Sequence, residues 1–239
     1  MKVVLTGASR GLGLQIAKQL AGEGHTVFAL CRSMSDELQE LQNKTNALVQ
    51  FVECDLLNTD FIQQLTIRKI FLDNAIDALV SNAALAYDDL ISNLNQESLE
   101  KMFQVNTLAP MVLTKSAIRN MLLHNTSGSI VHISSISAHT GYKGLAMYAA
   151  SKGAIEAFSK NTAREWGGRG IRSNCVVAGF METEMSAELS DEQKQRIYQR
   201  TSLKKSTETA SVASMVQFLL STSACGVTGQ NLFVDSGTI

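Results

Sequence analysis

Tyr148 and Lys152 stand four residues apart in the run "YAASK". That spacing puts two side chains on one face of a helix, with Cβ atoms roughly 5–6 Å apart. A phenol titrates near ~10 and is a poor acid at neutral pH, whereas a neighbouring ammonium stabilises its anion, each pKa unit being worth about 1.4 kcal/mol. The pair therefore has the makings of a general acid/base. Taken alone, the spacing fits a solvated surface pair equally well. Ser134 and Ser135 close the apolar run "GSIVHISS", with Ser135 thirteen residues before Tyr148. A hydroxyl there is placed to bond a carbonyl oxygen held by the tyrosine.

A second group of residues is suited to a dinucleotide. "TGASRGLG" supplies Thr6, Gly7, Ser9, Arg10, Gly11, Leu12 and Gly13 directly after the apolar run "KVVLTG" and ahead of a helical pattern. Glycines at such a turn let the backbone approach a pyrophosphate, and the helix N-terminus offers free N–H groups and partial positive charge. The context after the first strand of a βαβ unit is what gives the glycine pattern weight. The next apolar run ends in Cys31, Arg32 and Ser33, with no acidic residue to hold a ribose 2′-hydroxyl. Arg10 and Arg32 together suit a 2′-phosphate, which guanidinium groups bind bidentately; this points to NADP(H). Asp55, followed by Leu56, is an acceptor for an adenine amine or a helix cap. Asn82, followed by Ala83 and Ala84, either ties strand ends together or lines the cofactor cleft.

These residues need a scaffold that brings strand ends together. Apolar runs at 2–7, 26–31, 47–55, 76–84, 128–135, 171–179 and 231–235 alternate with helical patterns, including a long one from about Asn95 that breaks or bends near Pro110, one over 147–166 and one over 207–220. Ser35 and Asp36 cap a polar helix after the second run. Such alternation predicts right-handed crossovers and a parallel sheet with helices on both faces. The expected fold is a single α/β domain, a Rossmann-type doubly wound sheet of about seven strands. Residues 181–206 are the least regular part. Met181, Met185 and Leu189 recur there at helical spacing, and the stretch is expected to act as a substrate lid.

Composition excludes several function classes. The 239 residues are 45% hydrophobic and 18% charged, with a net charge of −1, so nothing favours nucleic acid or an anionic membrane surface. No apolar run reaches the ~20 residues of a membrane helix, and "MKVVLTGASRG" lacks the features of a signal peptide; a cytoplasmic location is expected. Cys31, Cys54, Cys175 and Cys225 show no CxxC pairing, and the first three fall in strand-like runs, as buried thiols rather than metal ligands.

With these motifs assembled, the chain resembles the short-chain dehydrogenase/reductase family along essentially its whole length. The resemblance rests on the glycine motif, on Asn82-Ala83-Ala84, on Asn106 in "QVNTLAP", on Ser135, Tyr148 and Lys152, on Asn174, Gly179 and Thr183 in "NCVVAGFMETEM", and on "VTGQNLFVDSG". Within the family it is most similar to 3-oxoacyl-[acyl-carrier-protein] reductases, through TGASRG, YAASK, "AREWGGRGIRSN" and "METEM…LSDEQ". The resemblance implies that Tyr148 donates a proton, that Lys152 lowers its pKa and holds the nicotinamide ribose, that Ser135 orients the carbonyl and that Asn106 anchors a relay water. It also implies that Gly179, Met181 and Thr183 line the cofactor, and that two long helices and the last strand build a homotetramer. Two departures stand out: Ala84 replaces the family's usual glycine and Ala178 its usual proline.

The expected activity is therefore NADPH-dependent carbonyl reduction, with a 3-oxoacyl thioester, and with it an acyl carrier protein, as one candidate substrate and partner. Arg169, Arg172, Lys204 and Lys205 are candidates for a basic rim, while "HNTSGS" before the fifth strand carries no Lys or Arg. The alternatives are reduction of a ketone, sugar or polyketide in a specialised pathway, and a non-catalytic NADP(H) sensor on the same fold. Substrate contacts are expected from 84–94, 136–147 and 181–206, with His139 and Tyr142 prominent among them.

Overall fold

A computed structural model of the chain describes every residue except 62, 63, 184, 185, 187 and 188, and all side chains except those of these residues and of 65 and 66. Seven parallel strands form one sheet: β1 (Lys2–Thr6), β2 (Thr26–Cys31), β3 (Val49–Glu53), β4 (Ala78–Ser81), β5 (Ser129–Ser135), β6 (Arg172–Ala178) and β7 (Asn231–Val234). Their spatial order is β3-β2-β1-β4-β5-β6-β7. The order reverses between β1 and β4, which is where a doubly wound sheet opens a crevice at the carboxyl ends of its strands. The five inner strands are buried on both faces, as a parallel sheet between two helical layers requires, while the edge strands β3 and β7 are partly exposed.

Among the described residues, eight α-helices cover the sheet: α1 (Gly11–Gly22), α2 (Asp36–Lys44), α3 (Leu65–Asp73), α4 (Gln96–Phe103), α5 (Ala109–Leu123), α6 (Ala146–Trp166), α7 (Asp191–Arg200) and α8 (Thr209–Leu220). One apolar cluster joins α1 and α8 to one face of β1, β4, β5 and β6 through residues such as Ile16, Leu20, Val80, Val131, Val216 and Leu219. A second cluster fills the other face with Leu79, Ile130, Leu113 and Met121. Alternation along each parallel strand divides its side chains between the two.

Local signals explain most boundaries. The Ser35 side chain accepts from Leu38 N and caps α2, and Asn95 caps α4 by accepting from Ser98 N. The break expected near Pro110 lies just before it: Gln104–Leu108 form a π-helical turn between α4 and α5. Proline has no N–H to offer the carbonyl four residues back, and an inserted π turn absorbs the mismatch. Ala178, in place of proline, does not loosen the end of β6: it pairs with Val234, and Gly179 N donates to Val234 O at 2.9 Å. The sequence reading had no helix at α3, and it read α7 as part of an irregular lid. Ser190 and Gln193 form a reciprocal capping box that starts α7.

Candidate active site

The crevice is built from loops that leave the strand ends. Gly7 sits at φ +70, and a Cβ there would come within 2.8 Å of Ala83 Cα; at Gly13 it would come within 2.0 Å of Gly7 O. Only glycine lets the loop after β1 fold this tightly against β4 and the start of α1. The Asn82 amide donates from Nδ2 to Thr6 O (3.1 Å) and Gly7 O (3.0 Å), and Thr6 Oγ1 accepts from the backbone N–H groups of Asn82 and Ala83. Of the two roles open to Asn82, the structure shows the tie between strand ends. No side chain caps the first turn of α1, whose N-cap is the exposed residue Arg10. The loop therefore leaves helix N–H groups facing the crevice, a cradle that fits the pyrophosphate of a dinucleotide.

The remaining nucleotide residues surround this cradle. Ser35 donates to Ser9 O at 2.5 Å, which draws the loop after β2, with exposed Arg32 and Ser33, towards the glycine loop. Asp55 is exposed and accepts from Leu57 N at 3.0 Å in a local turn, not as a helix cap. The side chains of Leu12 and Leu56 are buried in the two cores, so these residues face the crevice through backbone alone. Ala84 is half-buried beside the crevice. Gly179 is needed for packing: a Cβ there would lie 2.6 Å from Asp235 Cα. Met181 packs on the first core, and Thr183 approaches the glycine loop, its Cγ2 lying 3.7 Å from where a Gly11 Cβ would stand. The Ser186 hydroxyl joins Met181 O and Thr183 O. Met185, the middle of the expected apolar stripe, lies outside the described residues.

Tyr148 and Lys152 occupy the first two turns of α6, packed against β5 and β6. Lys152 is fully buried and donates from Nζ to Ile133 O at 2.9 Å; its Nζ lies 5.6 Å from the centre of the Tyr148 ring. Burial pulls Lys152 down to about 8, opposed by Cys175 and Glu156. Burial pushes the Tyr148 phenol up to about 12, with Asp88 adding to the rise and a hydrogen bond from Ser135 opposing it. Desolvation dominates at the phenol, and the Lys152 ammonium is engaged by a backbone carbonyl. Ser135 and Tyr148 are brought together as expected.

Asn106 lies in the π turn, buried: Oδ1 accepts from Leu85 N (2.8 Å), and Nδ2 donates to Leu85 O (2.9 Å) and Ser151 Oγ (3.1 Å). Ser151 in turn donates to Tyr148 O at 2.7 Å. The side chain thus fastens the loop after β4 to the helix that carries Tyr148. His139 bonds Glu156 and packs edge-on against Phe233. Tyr142 is half-buried, with Arg200 of α7 and Asp235 as charged neighbours. Ser151, Glu156 and Asn231 escaped the sequence reading, and Ser134, placed there beside a substrate carbonyl, donates instead to Glu156. The available signal was spacing, since Glu156 continues the Tyr148–Lys152 face by one more turn.

Among the described residues no group of three or more His, Cys, Asp or Glu side chains is arranged to hold a metal ion, and Cys31, Cys54 and Cys175 are buried thiols as expected. No helix among them is long and apolar enough to cross a membrane.

Comparison with known proteins agrees with this geometry. Residues 7–238 match a family model described as enoyl-(acyl carrier protein) reductase. The chain is 32% identical over 237 residues to the 3-oxoacyl-[acyl-carrier-protein] reductase FabG of Aquifex aeolicus, covering 98% of this chain and 95% of that one. It is 31% identical to nodulation protein G of a Rhizobium species, over 99% and 96% of the two chains. Among solved structures, one described as a short chain dehydrogenase/reductase family protein matches with TM-score 0.88 and 28% identity over 99% of this chain and 96% of that one. A 4-hydroxyisoleucine dehydrogenase complexed with NADH matches with TM-score 0.92 and 26% identity over 99% and 98%. An Agrobacterium tumefaciens protein with bound NADP, assigned by inference as a 2-deoxy-d-gluconate 3-dehydrogenase, has the same TM-score and identity over 99% and 95%. With its sheet order, glycine cradle and Ser-Tyr-Lys cluster, the chain belongs to the short-chain dehydrogenase/reductase family of oxidoreductases that act on CH–OH and C=O groups.

Proposed function

We propose that the protein reduces a carbonyl to an alcohol with NADPH, and that its substrate is a 3-oxoacyl thioester presented by an acyl carrier protein. The observation that carries this reading is the placement of Tyr148 one helical turn from a buried Lys152, whose Nζ lies 5.6 Å from the ring centre and is fixed to Ile133 O at 2.9 Å beside the carboxyl end of β5. A protonated phenol is the state from which a general acid acts. The cofactor, when bound, supplies the hydride. Ser135 orients the carbonyl oxygen, Tyr148 gives it a proton, and Lys152 stabilises the phenolate left behind. Gly7, Gly11 and Gly13 let the pyrophosphate approach the backbone, Arg10 and Arg32 favour a 2′-phosphate, and Thr183 at the crevice edge meets the nicotinamide end.

The thioester assignment draws on the FabG relatives, whose names give an acyl-carrier-protein substrate. Of the basic rim candidates, Lys204 and Lys205 are exposed, as docking to an acidic carrier requires, whereas Arg169 and Arg172 lie at the amino end of β6, opposite the crevice. A second reading, reduction or oxidation of a free ketone or sugar, is favoured by the higher TM-scores of the two small-molecule dehydrogenases. NADPH oxidation with acetoacetyl thioesters, diketones and keto-sugars in parallel separates the two. The thioester reading requires the highest kcat/KM on the thioester and fails if the sugars win.

Residues 189–206 are proposed to close over substrate from α7. The Tyr198 hydroxyl donates to the Glu182 carboxylate, which tethers α7 to the base of the segment. Exposed Leu108 in the π turn, Leu122 and Leu123 at the end of α5 and Phe233 on β7 leave apolar surface for a homotetramer. Sedimentation of a 25.9 kDa species at micromolar concentration would refute that assembly.

A further inference from the structure

Glu156 is a buried carboxylate that the reduction chemistry leaves without a part. It lies one turn beyond Lys152 on the inner face of α6, at 6% exposure. Three neighbours from three different elements hold it. The Ser134 hydroxyl at the end of β5 donates to Oε1. Asn231 of β7 donates from Nδ2 to Oε2 at 2.5 Å, and His139 Nε2 lies 2.9 Å from Oε2 and 3.0 Å from Oε1. Phe233 closes the outside of the His139 ring, with centroids 4.8 Å apart. A buried carboxylate is costly unless its hydrogen bonds are complete, and here the chain supplies them from β5, β7 and the turn before α6.

We propose that Glu156 is a positioning residue for the reductase site, holding Lys152 in its charged form and in its place against β5. The inference rests on the reading of Lys152 as the ammonium that serves Tyr148 and the cofactor ribose. Lys152 is surrounded by groups that cannot sustain its charge. From β5 comes His132, fully buried, held at about 3 by burial and the nearby ammonium, and so neutral. From β6 comes Cys175, whose thiol is pushed up to about 12 by burial and is therefore uncharged where Lys152 titrates. Ser134 and Ser135 of β5 and Asn231 of β7 carry no charge, and Tyr148 on α6 is a neutral phenol. Lys160 of α6 lies close enough to influence Cys175, and its sign does not help. Asp88 acts on Tyr148. His139 sits on the far side of Glu156. Among these described residues Glu156 is thus the carboxylate that bears on Lys152, at i+4 on the same helical face and without a direct ion pair between them.

The sign follows directly. Removing the negative charge makes the buried ammonium easier to deprotonate, so whatever needs Lys152 charged is lost at lower pH. The test compares the wild type with Glu156→Gln, a near-isosteric change, by two readouts: the pH dependence of the Kd for the reduced cofactor that the wild type binds more tightly, NADPH or NADH, and the pH dependence of kcat/KM. The alkaline limb of both is expected about one pH unit lower in the variant, a tenfold loss at a pH on that limb, and Glu156→Asp is expected to restore most of it. An unmoved limb overturns the proposal even if the melting temperature falls, because a purely structural role moves only the latter; a wild type without an alkaline limb overturns it too. Should the glutamine variant not fold, Glu156→Asp alone decides, since its carboxylate is drawn back by one methylene: a limb lowered by at least about 0.3 unit supports the proposal and an unmoved one contradicts it. A shift in cofactor binding without turnover on any carbonyl keeps this inference and sinks carbonyl reduction; turnover with an unmoved limb does the reverse.

Discussion

Lys152 stands one helical turn from Tyr148 with Nζ 5.6 Å from the centre of the phenol ring, yet it donates to the backbone carbonyl of Ile133 at 2.9 Å. The ammonium is thus fixed to the sheet and reaches towards the phenol from a set position. Burial pushes the phenol up to about 12, with Asp88 adding to the rise. For a reductase this is useful, since the acid is loaded with its proton at neutral pH and gains ammonium stabilisation only as negative charge develops on the oxygen.

His132 makes the fold acid-sensitive. Both of its ring nitrogens are buried without a partner among the described residues, and its pKa falls from 6.5 to about 3. Between those values the unfolded chain takes up a proton that the folded chain refuses, so stability falls as pH drops from about 6.5 towards 3. His132→Leu is expected to flatten this loss, read as melting temperature against pH. Parallel curves for the two proteins would contradict it.

Gly13 tests the cradle. A methyl there would meet Gly7 O at 2.0 Å and Asn82 Nδ2 at 2.6 Å. Gly13→Ala is expected to lower stability by about 1–3 kcal/mol, roughly 2–12 °C in Tm for a chain this size, and to weaken cofactor binding at least ~10-fold. Gly22→Ala, which has open space around it, serves as the control and should leave both unchanged or improved. Equal behaviour of the two variants would mean that the loop relaxes freely.

Cofactor choice rests on Arg10 and Arg32. The ratio of kcat/KM for NADPH over NADH is expected to exceed ~10, the scale of about one charge-assisted contact, and Arg32→Asp is expected to reverse it. A ratio near one in the wild type would show that the two guanidinium groups do not read a 2′-phosphate.

The sequence carried the strands, the glycine turn and the Tyr148–Lys152 face, because each is a short-range pattern: apolar runs, a turn that only glycine permits, an i,i+4 spacing. It did not carry what depends on contacts distant in the chain. The Asn106 amide meets Leu85 and Ser151, and Glu156 collects Ser134, His139 and Asn231 from up to 75 positions away. No local signal announces such partners. The helix α3 was missed because "LTIRKIFLD" has no side-chain cap at its start, and α7 because its ten residues bury nothing and so show no apolar stripe.

The central claim is that Tyr148 gives the proton in an NAD(P)H-dependent carbonyl reduction. Its most direct measurement is steady-state oxidation of NADPH with an acetoacetyl thioester by the wild type and by Tyr148→Phe, alongside the NADPH Kd of each. The account predicts wild-type turnover, and a variant whose kcat falls by at least ~10²-fold, the scale of losing a general acid, while its Kd stays within about threefold, less than 1 kcal/mol. Near-normal turnover in Tyr148→Phe would contradict it.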